Sequence, residues 1–377
     1  MNRREILQLL GLIPTWSFLP IQESFGLPSV RCVIFIELKG GNDGLNTLIP
    51  YSDDKYFQLR PNISIKKSDA IVLDASFGMH PSLLPLKQLW IDGDLGWVMG
   101  LGYPKPNKSH FRSIEIWETG SDSDVYLETG WLARLFSSVS SPLTGISLDQ
   151  DLGPLADHLG SIVLGRKDEV SQQQVQGKRY VSQNSNPALK HVLDVKLRMT
   201  LAARLLEERL SSKKLIKVSM PKTAIGNQLG RVLELQQTRL PISVFKVGLG
   251  SFDTHAGQGP KHARLLKQLA DALAAYALYS KSLGVWDCSM LVTYSEFGRR
   301  TSENRSLGTD HGAAGAHLIA GGGVIGGFHG TYPNLSATND LEFTVDFRQL
   351  YHTVARDWLG IAGSEYKHYK PLRLVRA

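Results

Sequence analysis

Cysteine is scarce in this chain, with Cys32 and Cys288 alone among 377 residues. Neither has a CxxC partner or a histidine at zinc-finger spacing, which excludes a disulfide scaffold and a structural zinc ribbon. Each falls in an apolar, β-branched run and is expected as a small buried hydrophobe on a strand. Long apolar runs are lacking too. Beyond the first thirty residues nothing approaches ~18 continuous apolar residues, so no transmembrane helix is predicted there. No Gly-x-Ser-x-Gly elbow occurs, which counts against a triad built on Ser109 or Ser295. The net charge is +7, but the basic residues are scattered in pairs such as Lys66-Lys67 and Lys213-Lys214. No RNA- or DNA-binding motif accompanies them, so nucleic acid is not an expected partner. The charge reads as a solvated surface whose modest positive field favours anionic ligands.

Glycine, by contrast, is plentiful at 36 residues, and it clusters beside polar residues instead of forming a linker. That pattern suits tight strand-to-helix turns around a site. The chain opens with Arg3-Arg4-Glu-Ile6-Leu7, followed by a mildly apolar run from Leu9 to Leu19 broken at Pro14. A charged head before a short apolar stretch is the layout of a signal peptide. The arginine pair resembles a twin-arginine export signal, which implies the twin-arginine export machinery as a partner and a periplasmic or otherwise exported location. The alternative is an ordinary amphipathic N-terminal helix. Residues 1–28 are read as the export signal, and residues 29–377 as a single α/β domain.

The remainder alternates strands with helices. Val30 to Leu38 is a continuous apolar run rich in Val and Ile, as a strand covered on both faces requires. Further strands are predicted over 95–101, 144–148, 161–165, 242–249, 288–294 and 317–320. Helices are predicted over 110–118, 129–138, 188–211, 224–238, 259–283 and 345–360, and a polar surface excursion over 168–190. Strands alternating with long helices predict a mostly parallel sheet flanked by helices on both faces.

Polar clusters follow the C-terminal ends of several predicted strands, the edge at which open parallel sheets bind ligands. The strand ends deliver Asp43 in Gly40-Gly41-Asn42-Asp43-Gly44, then Asp253 with His255, then Glu296. Asp310-His311-Gly312 follows soon after. Carboxylates supply hard anionic oxygens and imidazoles supply nitrogens, so such a gathering is what a divalent metal requires. Each piece also has a plainer reading. Asp43 forms turns, Asp253-Thr-His255 caps the following helix, Glu296 pairs with Arg299 or Arg300, and His311 is a lone loop histidine.

The same residues carry a family resemblance. Gly40-Gly41-Asn42-Asp43-Gly44, Ser109-His110-Phe111, Phe252-Asp253-Thr254-His255, Ser295-Glu296-Phe297-Gly298-Arg299, Asp310-His311 and Ala320-Gly321-Gly322-Gly323 occur in that order. Together with the twin-arginine start they resemble the domain-of-unknown-function family numbered 1501, over essentially the whole chain. That family is placed in the alkaline-phosphatase-like group, with its sulfatases, phosphodiesterases and phosphomutases. The resemblance implies an alkaline-phosphatase-like fold and hydrolysis of phosphate or sulfate esters. It implies Ser109 as the nucleophile, Asp43 as the first metal-binding aspartate, and Asp253, His255 and His311 on one metal. Glu296 stands where the group has the aspartate of an Asp-His pair on a second metal. Phe297 takes the place of that pair's histidine and cannot bind a metal, so the second site is weak, rebuilt from Asp310, or absent. His110 or Thr47 is the alternative functional neighbour to Ser109, and His110 is equally a cap residue. Asn42, Asn46, His110 and Arg299 are candidates to hold the anionic group, Arg299 by a bidentate fork unless it serves only as an ion-pair partner.

The expected cofactor is one or two divalent ions, with zinc, manganese, magnesium and calcium all compatible with the ligand types. The expected substrate is an anionic small-molecule or polysaccharide ester, selected by loops at 52–80, 120–128 and 166–190. The rival expectation is an inactive relative that keeps the fold and binds a polysaccharide or a protein.

Overall fold

The computed structural model describes residues 30–137, 143–158, 160–164, 187–212, 214–335, 340–362 and 365–376. The export segment and most of the excursion expected over 168–190 lie outside the described residues.

Among the described residues, nine strands form the main sheet: β1 (Cys32–Leu38), β5 (Leu95–Gly102), β6 (Gly145–Ser147), β7 (Ser161–Val163), β8 (Val244–Leu249), β9 (Ser289–Tyr294), β10 (Gly315–Ala320), β11 (Gly327–His329) and β12 (Val345–Asp346). Their order is β11-β5-β10-β9-β1-β8-β6-β7, with β12 also paired to β5. A small second sheet comprises β2 (Leu48–Ile49), β3 (Ile71–Val72) and β4 (Gly78–Met79). The helices are α1 (Asp54–Leu59), α2 (Lys87–Ile91), α3 (His110–Thr119), α4 (Trp131–Leu135), α5 (Pro187–Ser212), α6 (Ala224–Gln237), α7 (Gln258–Ser282) and α8 (Phe347–Thr353).

β1 lies at the centre because every one of its residues is buried. Its side chains alternate between two cores, as the pleat dictates. Ile34, Ile36 and Leu38 join the core that holds Leu229 of α6 and Leu266 of α7. Val33 and Phe35 join the opposite core, with Trp117 of α3, Trp131 of α4 and Tyr351 of α8. The fold is therefore α/β with helices on both faces, as the alternation predicted. Parallel pairing joins β1 to β8 and β9, and β6 to β7 and β8.

β10 departs from that direction, running antiparallel to both β9 and β5. The reversal matters for the site. Residues entering β10 from its N-terminal side lie at the same sheet edge as residues leaving β1, β8 and β9. One cysteine expectation needs correction. Cys32 is a buried strand residue, but Cys288 is only partly buried and closes a 3-10 turn, Trp286–Cys288, just before β9.

Candidate metal site

The site grows from the turn after β1. Gly40 and Gly41 both have left-handed backbones, at φ +112° and +84°. A β-carbon at Gly40 would strike the backbone nitrogen of Asp253, and one at Gly41 would strike the Phe297 ring. Only glycine fits there. The turn aims two amide groups at one carboxylate. Gly40 N donates to Glu296 Oε1 at 2.7 Å and Oε2 at 2.8 Å, and Gly41 N donates to Oε2 at 2.9 Å. Glu296 is thereby fixed at the end of β9, and its Oε1 lies 3.5 Å from His110 Nδ1.

Arg299 ties the same turn to the segment after β8. Its guanidinium donates to the carbonyls of Gly41 (2.7 Å), Thr309 (2.8 Å), Phe252 (3.0 Å) and Gly40, and to Asp253 Oδ1 at 2.8 Å. Burial pushes the Asp253 carboxyl up, but the Arg299 hydrogen bond, His311 and the nearby charges outweigh it and bring it down to about 2. Asp253 is thus an anion held at a fixed place.

Three atoms converge on that place. His255 Nε2 lies 3.1 Å from Asp253 Oδ1, His311 Nε2 lies 3.2 Å from the same oxygen, and the two nitrogens are 2.9 Å apart. The tautomers follow from the outer partners. His311 Nδ1 faces the Lys108 carbonyl at 2.8 Å, which can only accept, so Nδ1 carries the proton. His255 Nδ1 faces the Asp310 carboxylate at 3.2 Å and carries its proton likewise. In the neutral imidazoles both Nε2 atoms therefore turn lone pairs toward each other and toward an anionic oxygen. Three acceptors in mutual contact repel unless a cation sits among them. Zinc–ligand distances of about 2.0–2.1 Å set the ligand atoms of a tetrahedral site roughly 3.3 Å apart, close to the spacings seen. Two imidazoles and one carboxylate, each imidazole braced by an outer acceptor, fit a divalent metal. His110 completes the surround, with Nε2 at 3.5 Å from Asp253 Oδ2, and His110, Asp253 and His311 form a set able to share one ion. A second acidic group, Glu37 with Asp149 and Asp151, is already served by ammonium groups. Lys246 Nζ lies 3.0 Å from Glu37, and Lys39 Nζ lies 2.6 Å from Asp149.

Residues 229–367 match a family described as "Protein of unknown function (DUF1501)". That stretch contains Asp253, His255, Glu296, Arg299, Asp310 and His311. No curated protein matches the sequence. Among solved structures, the chain is similar to the C-terminal periplasmic domain of EptC from Escherichia coli in complex with zinc. The TM-score is 0.43 at 10% identity, covering 90% of this chain and 85% of that one. A sulfatase, FucS1 from Pseudoalteromonas sp., gives 0.40 at 10% identity, covering 88% and 68%. The lipoteichoic acid synthase LtaP from Listeria monocytogenes gives 0.38 at 10% identity, covering 89% and 73%.

The geometry redistributes several expected roles. Asp43 does not reach the ligand group. Its carboxylate is bound by Arg60 at 2.7 Å, by Gln258 and by the amides of Leu45 and Asn46. Burial raises Asp43, and the Arg60 charge more than reverses that, leaving it below its usual range. Asn42 and Asn46 are buried and spent internally. Asn42 Oδ1 meets His262 Nε2 at 2.9 Å, and Asn46 Oδ1 accepts from Tyr56 and Arg60. Arg299 is buried and its donors are committed, so it is a brace and not an anion fork. Its ionic partner is Asp253 and not Glu296. Asp310 stands behind His255 and accepts from Asn304 Nδ2 at 3.0 Å; that bond, ahead of burial, sets its carboxyl below the usual range. Glu296 is saturated by the glycine amides instead of pointing among the three ligand atoms. Phe297 is buried, with its ring 4.2 Å from that of His311 and 5.0 Å from that of His110, so it floors the site. Asp253 does not cap α7, whose N-cap is Gly257. His110 opens α3 after the N-cap Ser109, whose hydroxyl makes no cap bond and whose residue is exposed.

Sequence reasoning missed Arg60, Gln258 and His262. Arg60 stands alone in a polar stretch with no periodicity around it. Gln258 and His262 look like ordinary polar positions of an amphipathic helix.

Proposed function

We propose that this protein is an exported, metal-dependent hydrolase of phosphate or sulfate esters, with its ion held by Asp253, His255 and His311. The observation that carries the reading is the convergence of His255 Nε2, His311 Nε2 and Asp253 Oδ1, three atoms that can each turn a lone pair to one ion. The motif resemblance supplies the reaction class, and the Arg3-Arg4 start supplies the export reading by the twin-arginine route.

When bound, the ion supplies Lewis acidity and positive charge toward an ester's oxygens. The chain supplies the rest. Asp310 and the Lys108 carbonyl hold the two imidazoles with their Nε2 lone pairs facing inward. Arg299 keeps the Asp253 carboxylate anionic and immobile. His110, with Nδ1 toward Glu296 and Nε2 toward the cluster, is placed to hold or pass a proton at Nε2. Ser109 sits one residue before it, exposed and with its hydroxyl not spent on the cap, and is the proposed nucleophile. Phe297 and the glycine turn keep water from the floor of the site.

One observation favours a second reading. Phe297 fills the place of a second-metal histidine, and Asn42, Asn46 and Arg299 are all consumed by the fold. A protein with this one-ion site and no turnover would be an exported binding protein.

The test is the metal content of the purified protein beside an Asp253→Ala variant, after both are offered zinc, manganese and calcium. About one ion per chain in the natural protein, lost in the variant, is the expected result. Absence of metal from both would end the metallohydrolase reading. Metal without hydrolysis of any aryl phosphate or sulfate would select the binding protein.

A further inference from the structure

Two apolar side chains stand exposed in segments that adjoin histidines of the cluster, and neither belongs to a described core. Phe111 is 88% exposed in the first turn of α3, directly after His110. Leu307 is 49% exposed and has a left-handed backbone at φ +56°. That conformation is unfavourable for leucine and natural for glycine or asparagine. Leu307 belongs to a loop docked on the His255 segment. Gly257 N donates to the Ser306 carbonyl and Gln258 N to the Leu307 carbonyl, both at 2.9 Å, and Asn304 Nδ2 donates to the His255 carbonyl at 3.0 Å. A second exposed ring reinforces the Phe111 side. Tyr126 is 74% exposed and lies over the Arg112 guanidinium, 3.8 Å from ring centroid to cation. Arg112 is anchored in turn to the carbonyls of Asp122, Ser123 and Val125, so the aromatic is held rigidly above the first turn of α3.

An exposed phenylalanine beside one histidine of the cluster and a strained, exposed leucine beside another are costs that folding does not explain. A contiguous apolar patch rimmed by polar residues marks a surface that a ligand covers. We propose that Phe111 and Leu307, with Tyr126, form an apolar rim that selects substrates carrying an aryl or alkyl group next to the anionic ester. The proposal rests on the ester-binding reading of the cluster. A bound anion at Asp253, His255 and His311 would place its organic substituent outward, toward these side chains. The rim then discriminates by the apolar area of that substituent.

The experiment is a calorimetric titration of the full chain, zinc-free and zinc-loaded, with phenylphosphonate and with methylphosphonate. These are anions of the same charge that differ only in apolar area. The natural protein is expected to bind phenylphosphonate about tenfold more tightly, the effect of covering one ring. Phe111→Ser and Leu307→Asn are expected to lose most of that preference while keeping their zinc. Leu307→Asn also relieves the left-handed backbone, so it should fold at least as well as the natural protein and keeps the test decisive if Phe111→Ser folds poorly. Equal binding of the two ligands, or no binding of either, by the zinc-loaded protein overturns the rim while leaving the metal reading intact. A phenyl preference in protein that takes up no zinc overturns the metal reading and keeps the rim. Concentration-dependent dimerisation that Phe111→Ser abolishes, with no phenyl preference, would assign the surface to a second copy of this chain and overturn the proposal.

Discussion

Arg60 shows how a single side chain decides the surroundings of the site. Its guanidinium is fully buried and serves Asp43, Asn46 and the carbonyls of Arg300 and Thr301. Removing it strands the Asp43 carboxylate in a dry pocket. Arg60→Leu is expected to destabilise the protein by about 3–5 kcal/mol, the usual cost of an orphaned buried charge. Urea unfolding checks this as a lowered midpoint at unchanged slope. Arg299 makes the complementary case. Lysine keeps the charge but cannot reach five acceptors from one planar fork. If the proposed site holds a divalent ion, Arg299→Lys is expected to weaken its binding by about 10–100-fold, as losses of outer braces do, read by competition with a chelator. The residue types at the site were legible in the sequence, because strand ends rich in Gly, Asp and His stand out. Their division into proposed ligand, brace and core was not. Asp43 and Asp253 look alike in sequence, and only the arrival of Arg60 from a distant turn separates them.

At the level of elements, the glycine turn after β1 is the least tolerant piece. Gly41→Ala would place a methyl group against Phe297 at a backbone angle that alanine avoids. It is expected to cost about 1–3 kcal/mol by overpacking, with strain added, and to loosen Glu296 and His110 together. A thermal melt alongside metal content measures both effects. The long elements were readable because their periodicity is strong: β1, β8, β9, α6 and α7 fall within two residues of their expected bounds. Strand direction leaves no mark on periodicity, so the reversal of β10 was invisible, although it is what brings His311 to the edge that carries Asp253 and His255. The two-residue strands β2, β3, β4 and β12 were unread because two residues cannot show alternation. Residues 52–80, expected as a specificity loop, instead carry α1 and two strands of the small sheet.

For the whole molecule, acid is the expected weakness. His80 and His262 are buried in the native state, and burial holds them down to about 4 and about 3 respectively. The unfolded chain protonates them near 6.5. Between those values the unfolded state binds more protons, so stability is complete above about pH 6.5 and is lost as the pH falls. Each histidine contributes a slope of up to about 1.4 kcal/mol per pH unit. His317 is held down by burial in the same way, to about 4, so urea midpoints near neutrality and at about pH 5 should differ markedly, and His262→Gln should remove only one histidine's share of the difference.

The place of β1 at the middle of the sheet has a consequence for synthesis. A ribosome delivers β1 about two hundred residues before its two hydrogen-bonding partners, which begin only at Val244 and Ser289. Until they emerge, an apolar, seven-residue strand has both edges open, a template for unwanted pairing. The native neighbours must then close a very long loop to reach it, which is slow. Emerging chains of this protein should depend on a holding chaperone until β9 is out, and truncation before Ser289 should yield aggregates and not a smaller folded protein.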